Sequence, residues 1–553
     1  MKRILQISLF SLLCLPTVAQ TEHNFEVSKY LDIFNSLYRD LDLYYVDTLN
    51  AKENVGNALL YMLDQLDPYT AYYSPDQKAD LEQLTTGKYA GIGSPIRYKK
   101  SEKRCVFDGP YGGMPAQQAG VRSGDVILRI NGKDVGTAEP SEQNTYTTGI
   151  TRQLRGDAGT TFELTVKRPG HAKPISMKIT RANIERPVLE LSKMLNDSVG
   201  YIALSGFTEN TSRNVRMALA ELKKQGAKNL VLDLRHNPGG LLTEAVNLVN
   251  LFIPKNKEVV STRGKTKEAT RIYKTQEEPF DLQIPIVVLV NNNTASSAEI
   301  TSGALQDYDR AVIVGLRTYG KGLVQQTRPL PYDAAFKLTT SKYFIPSGRC
   351  IQAYDFKNRN EDGMPSHLPD SLCKTFYTTT GRPVKDGGGI TPDIAVKLDS
   401  MSNIQRYLIT SDVLFDFCVD FYQHHPTIAP PSVFKLSDAD FERFVEWVKK
   451  SDFTYDVQSQ RVLKLLREVA AAEGYSDEVN DELKAIEEKM KPNLERDLRH
   501  WRSDITKIIE TEIVNNFYHE QGLAEYSLRQ NPYIEKALEI LGNTEEYHRI
   551  LKK

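Results

Sequence analysis

The chain predicts a multidomain α/β protein, with a strand–turn–helix core, an insert of short strands ahead of it, and helical regions at both ends. Three observations predict this. Between Val199 and about Val396, apolar strands alternate with helices, as in "NLVLDLRHNPGGLLTEAVNLVNLF" and "IPIVVLVNNNTASSAEITSGALQD"; this layout builds α/β sheets. From Gly87 to Arg186 the texture is short alternating strands and glycine turns, with Asn131-Gly132 marking a two-residue hairpin. Residues 24–75 and those beyond 400 carry apolar residues at helical spacing. A chain of 553 residues holds roughly three to four such units at ~150 residues each.

Taken in order, Lys2 and Arg3 precede the apolar run "ILQISLFSLLCLPTVAQ", which ends in Thr17-Val18-Ala19. A charged start, a short apolar run and small residues at its end predict a secretory signal peptide, residues 1–19, cleaved after Ala19. The run is shorter than the ~20 residues of a membrane span. Gln6 and Pro16 interrupt it, and Leu13 before Cys14 is too bulky for the usual lipidation site. The mature chain is therefore expected to be exported, without a stable membrane span.

Residues 20–86 form the first helical region, in which Val27, Tyr30, Leu31, Phe34, Leu37, Tyr38 and Leu41 make one apolar stripe expected to be core. "LDQLDPYTAYYSP" then reads as a loop around Pro68 and Pro75. Residues 87–186 are the strand-rich insert, 187–400 the α/β core, and 401–553 a charged helical region. Those C-terminal helices are candidates for a structural cap, a homo-oligomer contact or an adaptor arm.

A net charge of −1 gives no reason to expect nucleic acid or an anionic membrane as partner. Past the signal peptide four cysteines remain, Cys105, Cys350, Cys373 and Cys418; export permits a Cys350–Cys373 disulfide, and four thiols are equally open. No CxxC or Cys/His spacing suggests a metal, His424-His425 being a weak pair, and no cofactor is expected.

The chemistry concentrates in "NNNTASSAEITSGALQDYDRAVIVGLRTYGKGLVQQ". Ser296-x-x-Glu299 fits a helix capping box. A serine at a strand-to-helix turn also faces the positive helix end, where an oxyanion is stabilised. Such a serine needs a base, and no histidine lies between His236 and His367. Lys321, 25 positions past Ser296, lies between Gly320 and Gly322, with Tyr319, Leu323 and Val324 to exclude water. A lysine titrates near ~10.4 and acts as a base only where desolvation lowers that value. Gln325 offers a neutral amide to orient the amine.

This block resembles the active-site block of the carboxy-terminal processing peptidases, secreted serine proteases with a Ser-Lys dyad and a PDZ domain. Their run is Ser-Ala-Ser-Ala-Ser-Glu, the nucleophile being the third of the six. Aligning its Glu with Glu299 implies Ser296 as nucleophile, Lys321 as base and Gln325 as support. Thr294 replaces the first serine, and Ser297-Ala298 reverses the usual order, which leaves two adjacent serines. "LDPYTAYYSP" is similar to the family's Leu-Asp-Pro-His-Ser loop, with Tyr69 for the histidine; "TTSKYFIPSGRCIQ" and "GGGITPDIAV" resemble two further blocks.

The resemblance, which covers the chain up to about residue 400, implies a ClpP/crotonase-like protease core with an inserted PDZ domain. "DLRHNPGGLL" then supplies an oxyanion N–H from Gly239 or Gly240, with Ser297 N–H as the second donor. "YAGIG", Tyr89-Ala90-Gly91-Ile92-Gly93, becomes the loop that binds a peptide carboxylate, and Arg155 a candidate relay from bound tail to catalytic centre. The implied function is a periplasmic endopeptidase acting on proteins with free C-terminal tails. A proteolytically silent, PDZ-bearing binding protein is the alternative. Two S-x-x-K tetrapeptides, "SLCK" and "SVFK", lack the S-D-N and K-T-G boxes that a penicillin-binding enzyme requires.

Overall fold

The protein is described as a computed structural model in which residues 2–77, 81, 88–185, 187–360, 362–397, 401–456 and 458–553 are placed, without the side chains of residues 2–21, 76, 88 and 477. Residues 87 and 186, the expected limits of the strand-rich insert, lie outside the described residues. The chain forms two compact units, Met1–Tyr73 with Thr327–Leu338, and Ser74–Gln326 with Thr339–Lys553.

In the first unit a helix runs from Lys2 to Tyr44, and a second, Ala51–Asp64, is capped by the Asn50 side chain. Asp67 then ties the "LDPYT" loop by accepting the N–H groups of Tyr69 and Thr70, both at 2.9 Å. Strand Ala71–Tyr73 pairs antiparallel with residues 335–337. The apolar stripe expected to be core is not buried: Leu31 is 58% and Leu37 55% exposed. Helical spacing reports that a face is apolar and is silent on what covers it; among the described residues nothing does.

The second unit opens with an antiparallel sheet in the order Ile96–Lys99, Arg104–Phe107, Val126–Ile130, Thr161–Lys167, Ile175–Thr180. Asn131 and Gly132 both have positive φ, 52° and 75°, and join Ile130 to Lys133 as the expected hairpin. Helix Gln143–Leu154 closes a small core around Phe107, Ile127, Leu164 and Ile150. The outer face of this sheet docks on the C-terminal helices: Val106 and Val126 pack against Phe415 and Val419, and Lys99 pairs with Asp416 at 2.6 Å.

The α/β core is a six-stranded sheet in the order Leu189–Met194, Val199–Leu204, Asn229–Asp233, Ile286–Val290, Val312–Gly315, Ile394–Ala395, parallel after its first, antiparallel pair. The four inner strands, Val199–Leu204 to Val312–Gly315, alternate their side chains between two buried faces, which is why they read as near-continuous apolar runs. Leu230, Leu232, Val288 and Ile313 face helices Thr211–Lys224, Leu242–Asn250 and Ser297–Asp307. Val231, Leu289 and Val314 face the other way, onto Ile534, Ala537, Ile540 and Tyr547 of helices Pro532–Gly542 and Thr544–Leu551.

The C-terminal helical region therefore divides in two. Residues 403–526 build their own core around Phe417, Phe441, Phe444 and Ile509, while residues 532–551 cover one face of the α/β sheet. The described cysteines Cys105, Cys350, Cys373 and Cys418 are all free thiols, so the Cys350–Cys373 bridge is not formed. Among the described residues no helix is long and apolar enough to cross a membrane.

Candidate active site

Strand Ile286–Val290 runs into a turn in which Thr294 Oγ1 accepts the Asn291 N–H at 2.9 Å. The chain then reaches Ser296, the N-cap of helix Ser297–Asp307. Ser296 has φ 55° and ψ −117°, outside the regions favoured by residues with a side chain and costing about 1–3 kcal/mol. Its surroundings hold it there. Ala295 N–H donates to the Asn237 carbonyl at 2.9 Å, Ser296 N–H to Glu299 Oε2 at 2.8 Å, and the Tyr343 hydroxyl to the Ser296 carbonyl at 3.3 Å. Ser296 is half-buried. Its neighbour Ser297 is 1% exposed and spends its hydroxyl on the Gly240 carbonyl at 2.8 Å.

Lys321 arrives on a loop pressed against the same turn. Tyr319 N–H donates to the Thr294 carbonyl at 3.0 Å, Gly320 N–H to Glu299 Oε1 at 2.7 Å, and Lys321 N–H to Glu299 Oε2 at 3.0 Å. The flanking glycines are dictated by contact. A Cβ on Gly320 would lie 2.4 Å from Ala353 Cβ, and one on Gly322 2.7 Å from the Gln352 nitrogen. Lys321 itself is half-buried.

Glu299 joins the two segments. It is completely buried, and its four donors are the N–H groups of Ser296, Gly320 and Lys321 and the Thr318 hydroxyl, the last at 2.5 Å. Burial raises its carboxyl to about 7, against the pull of those donors.

The glycine turn after strand Asn229–Asp233 lies against the serine: a Cβ on Gly239 would come 2.7 Å from Ser296 Cβ and 2.8 Å from the Ser297 nitrogen. Gly239 and Gly240 have φ of 97° and 145°. The two are not equivalent as N–H donors. Gly239 N–H donates to Asn237 Oδ1 at 2.9 Å and is committed, whereas the Gly240 N–H meets no acceptor among the described residues. Below the turn, the Arg235 side chain forks onto Asp233, Nε to Oδ1 at 3.0 Å and Nη2 to Oδ2 at 2.6 Å, and Tyr201 donates its hydroxyl to Asp233 at 2.7 Å. His236, exposed beside Asn291 and Asn293, has its pKa lowered by partial burial and by Arg235.

Gln325, expected beside the lysine, directs its amide Nε2 to Thr339 Oγ1 at 3.1 Å. Among the described residues no cluster of His, Cys, Asp or Glu is placed to hold a metal ion.

The "YAGIG" segment forms the end of strand Lys88–Gly91 and a turn at Gly93, φ 69°. Ile92 is buried, with its carbonyl accepting the Ala116 N–H at 2.9 Å. A pocket of about 260 Å³ lies between Tyr89, Ile92, Gly93 and, from the facing helix, Leu154 and Arg155. It neighbours a larger cleft of about 1150 Å³ between Arg97 and Tyr98 of one strand and Thr147 and Thr151 of that helix. The Arg155 guanidinium sits 5.1 Å from the Tyr89 ring centroid.

Sequence reasoning missed the bridging role of Glu299 and the Asp233–Arg235 pair. The second had a signal: an aspartate ending the apolar run "NLVLD" is a buried charge that needs a partner, and the arginine two positions on can reach it.

Comparison with known proteins finds three family models along the chain. Residues 198–358 match the model of peptidase family S41, residues 106–168 that of a PDZ domain, and residues 404–541 that described as "Probable PDZ-protease, C-terminal helical domain". The chain is 34% identical over 346 residues to a carboxy-terminal-processing protease of Bartonella bacilliformis, covering 62% of this chain and 77% of the relative. It is 29% identical over 425 residues to a "Probable CtpA-like serine protease" of Staphylococcus haemolyticus, covering 76% of this chain and 82% of the relative. Among solved structures, the photosystem II D1 C-terminal processing protease matches at 30% identity over 60% of this chain and 85% of that chain, with a TM-score of 0.34.

Proposed function

This chain belongs to the carboxy-terminal processing proteases of peptidase family S41, and from that membership we propose that Ser296 and Lys321 form its catalytic dyad. The observation that carries the proposal is the shared acceptor: Ser296 and Lys321 both donate their backbone N–H to Glu299 Oε2, at 2.8 and 3.0 Å. Two segments far apart in sequence are thereby held to one buried oxygen.

In this reading Ser296 Oγ attacks the scissile carbonyl carbon while its proton passes to the uncharged Lys321 Nζ. The tetrahedral oxyanion is met by the N–H of Ser297, on the first turn of its helix, and by that of Gly240. Each such donor typically contributes about 2.7–4 kcal/mol. Lys321 then returns the proton to the leaving amine, the carbon–nitrogen bond breaks, and an acyl-Ser296 ester remains. Water adds to that ester by the same route, giving up its proton to Lys321, and the acid product leaves as Ser296 regains its hydrogen.

Substrates are selected by their C-terminal tails. The carboxylate occupies the turn at Gly91–Gly93 beside Arg155, and the tail lies as an added strand in the cleft between residues 96–99 and helix Gln143–Leu154. Arg155 links the occupied loop to activity. The enzyme acts outside the cytoplasm, in the periplasm, after removal of residues 1–19; amino-terminal sequencing of the mature protein should begin at Gln20.

The test is hydrolysis of a peptide with a free apolar C-terminus, together with labelling by a fluorophosphonate. Wild-type protein should cleave the peptide and take the label on Ser296, and Ser296→Ala and Lys321→Ala should do neither. Hydrolysis that survives Lys321→Ala would remove the dyad.

A further inference from the structure

We infer that the C-terminal helices contribute to the active site itself, Asn531 and Tyr533 serving as positioning residues that hold Arg235 and, through it, the oxyanion turn 236–240. The inference rests on the peptidase reading of Ser296 and extends it to a part of the chain outside the S41 match.

Arg235 is gripped from two sides. On one, its guanidinium forks onto buried Asp233. On the other, its Nη1 donates to Asn531 Oδ1 at 3.1 Å, and its guanidinium carbon lies 4.6 Å from the Tyr533 ring centroid. Asn531 is the N-cap of helix Pro532–Gly542, so the oxygen that receives Arg235 also accepts the Tyr533 N–H at 3.1 Å. The asparagine is held in turn by its own Nδ2, which donates to the Ser527 carbonyl at 2.8 Å. Tyr533 is 5% exposed and seated against Gly315, where a Cβ would lie 2.9 Å from its ring. Neither group is a loose surface contact.

Arg235 matters for the turn it introduces, His236 to Gly240. Within that turn Gly239 lies against Ser296, and the Gly240 N–H has no acceptor among the described residues. An arginine locked by a carboxylate, an amide and a ring fixes where this turn begins. Loosening it moves the oxyanion donors relative to Ser296, and misplacement by about 1 Å is enough to cost rate.

The test separates this role from helix capping and from packing. Serine caps a helix nearly as well as asparagine but is too short to reach Arg235, whereas aspartate both caps and reaches. Phenylalanine keeps the ring over Arg235; leucine removes it. Asn531→Ser and Tyr533→Leu should lower kcat about ten- to a hundredfold with KM little changed, and slow fluorophosphonate acylation by the same factor. Asn531→Asp and Tyr533→Phe should stay near wild type. The double variant Asn531→Ser/Tyr533→Leu should lose less than the product of the singles, since both act through Arg235. Hydrogen exchange, which does not depend on activity, should quicken in residues 236–241 of Asn531→Ser while strand 229–233 stays protected. Unchanged exchange there would overturn the inference, as would faster exchange with wild-type kcat, or a loss of activity that merely tracks the unfolded fraction. Wild-type protein that neither cleaves nor labels would instead overturn the peptidase reading, leaving the exchange result to stand by itself.

Discussion

Ser296 and Lys321 donate their backbone N–H groups to the same carboxylate oxygen, Glu299 Oε2. Glu299 accepts all four of its donors together only while it is ionised, yet it is completely buried and its carboxyl is raised to about 7. The clamp is therefore poised to titrate near neutrality.

Activity should fall as pH drops through about 7, because a protonated Glu299 presents a donor where acceptors are needed. Glu299→Gln, which places an amide among donors, should lower kcat by about a hundredfold and abolish that acid limb. Stability runs the opposite way. The folded state holds a proton that the unfolded chain, titrating near 4.5, releases, so Glu299 makes stability decline as pH rises from about 4.5 to about 7. Above that the cost is complete; below about 4.5 it is absent. Melting temperature against pH should show this slope in wild type and lack it in Glu299→Gln.

Two adjacent serines are told apart by what their hydroxyls do. Ser297 is buried and bonded to the Gly240 carbonyl, so Ser297→Ala should cost about 1 kcal/mol of stability and retain most hydrolysis. Ser296→Ala should retain none. Mass spectrometry of the labelled protein decides; an adduct on residue 297 would reverse the assignment.

The glycine turn should separate activity from stability. In Gly240→Ala the new Cβ would lie 2.1 Å from the Phe207 carbonyl oxygen, and in Gly239→Ala 2.7 Å from Ser296 Cβ. Both adopt positive φ, so each variant should lose at least about 1–2 kcal/mol from backbone strain. Gly240→Ala, whose new Cβ makes the closer backbone contact, 2.1 Å against 2.8 Å to the Ser297 nitrogen for Gly239→Ala, should unfold at lower denaturant. Gly239→Ala should remain better folded while its kcat collapses.

Arg155 lies over Tyr89, beside the turn at Gly93. Arg155 lines the pocket proposed for the tail carboxylate, and an exposed ion pair is worth about 0.2–1 kcal/mol, so Arg155→Ala should raise KM for tailed peptides by up to a few-fold. If Arg155 also relays occupancy, stimulation by a saturating tail peptide should disappear; stimulation unchanged at saturation would confine it to binding.

Phe415 is the apolar anchor between the strand-rich insert and the C-terminal helices, 2% exposed and stacked under Arg97 at 4.7 Å. Phe415→Ala should cost about 3–5 kcal/mol at that contact. Limited proteolysis should then cut between the two regions before either unfolds.

The strands were legible wherever burial on both faces wrote an uninterrupted apolar run, as in "IPIVVLV". The hairpin at Asn131-Gly132 was legible because both residues tolerate positive φ. Glu299 could be read as half of a local capping box, but not as a bridge, since its further donors stand 19 to 22 positions away. The Arg235–Asn531 contact spans 296 positions and leaves no local trace. Gln325, on strand Leu323–Pro329, directs its amide Nε2 to Thr339 Oγ1, a contact 14 positions away that its place four residues after Lys321 does not announce. Periodicity in the first helix gave an apolar face and no information about its cover.

Because the face of the protease sheet carrying Val231, Leu289 and Val314 is roofed by residues 532–551, the order of synthesis has a say in when this enzyme can cut. Strands 199–315 leave the ribosome bare on that side, with no roof until the helical segments behind them have also emerged. Ripening is thus written into the thread order, and a nascent chain halted before residue 532 should stay harmless to its neighbours, which arrested-translation intermediates assayed for fluorophosphonate uptake would reveal.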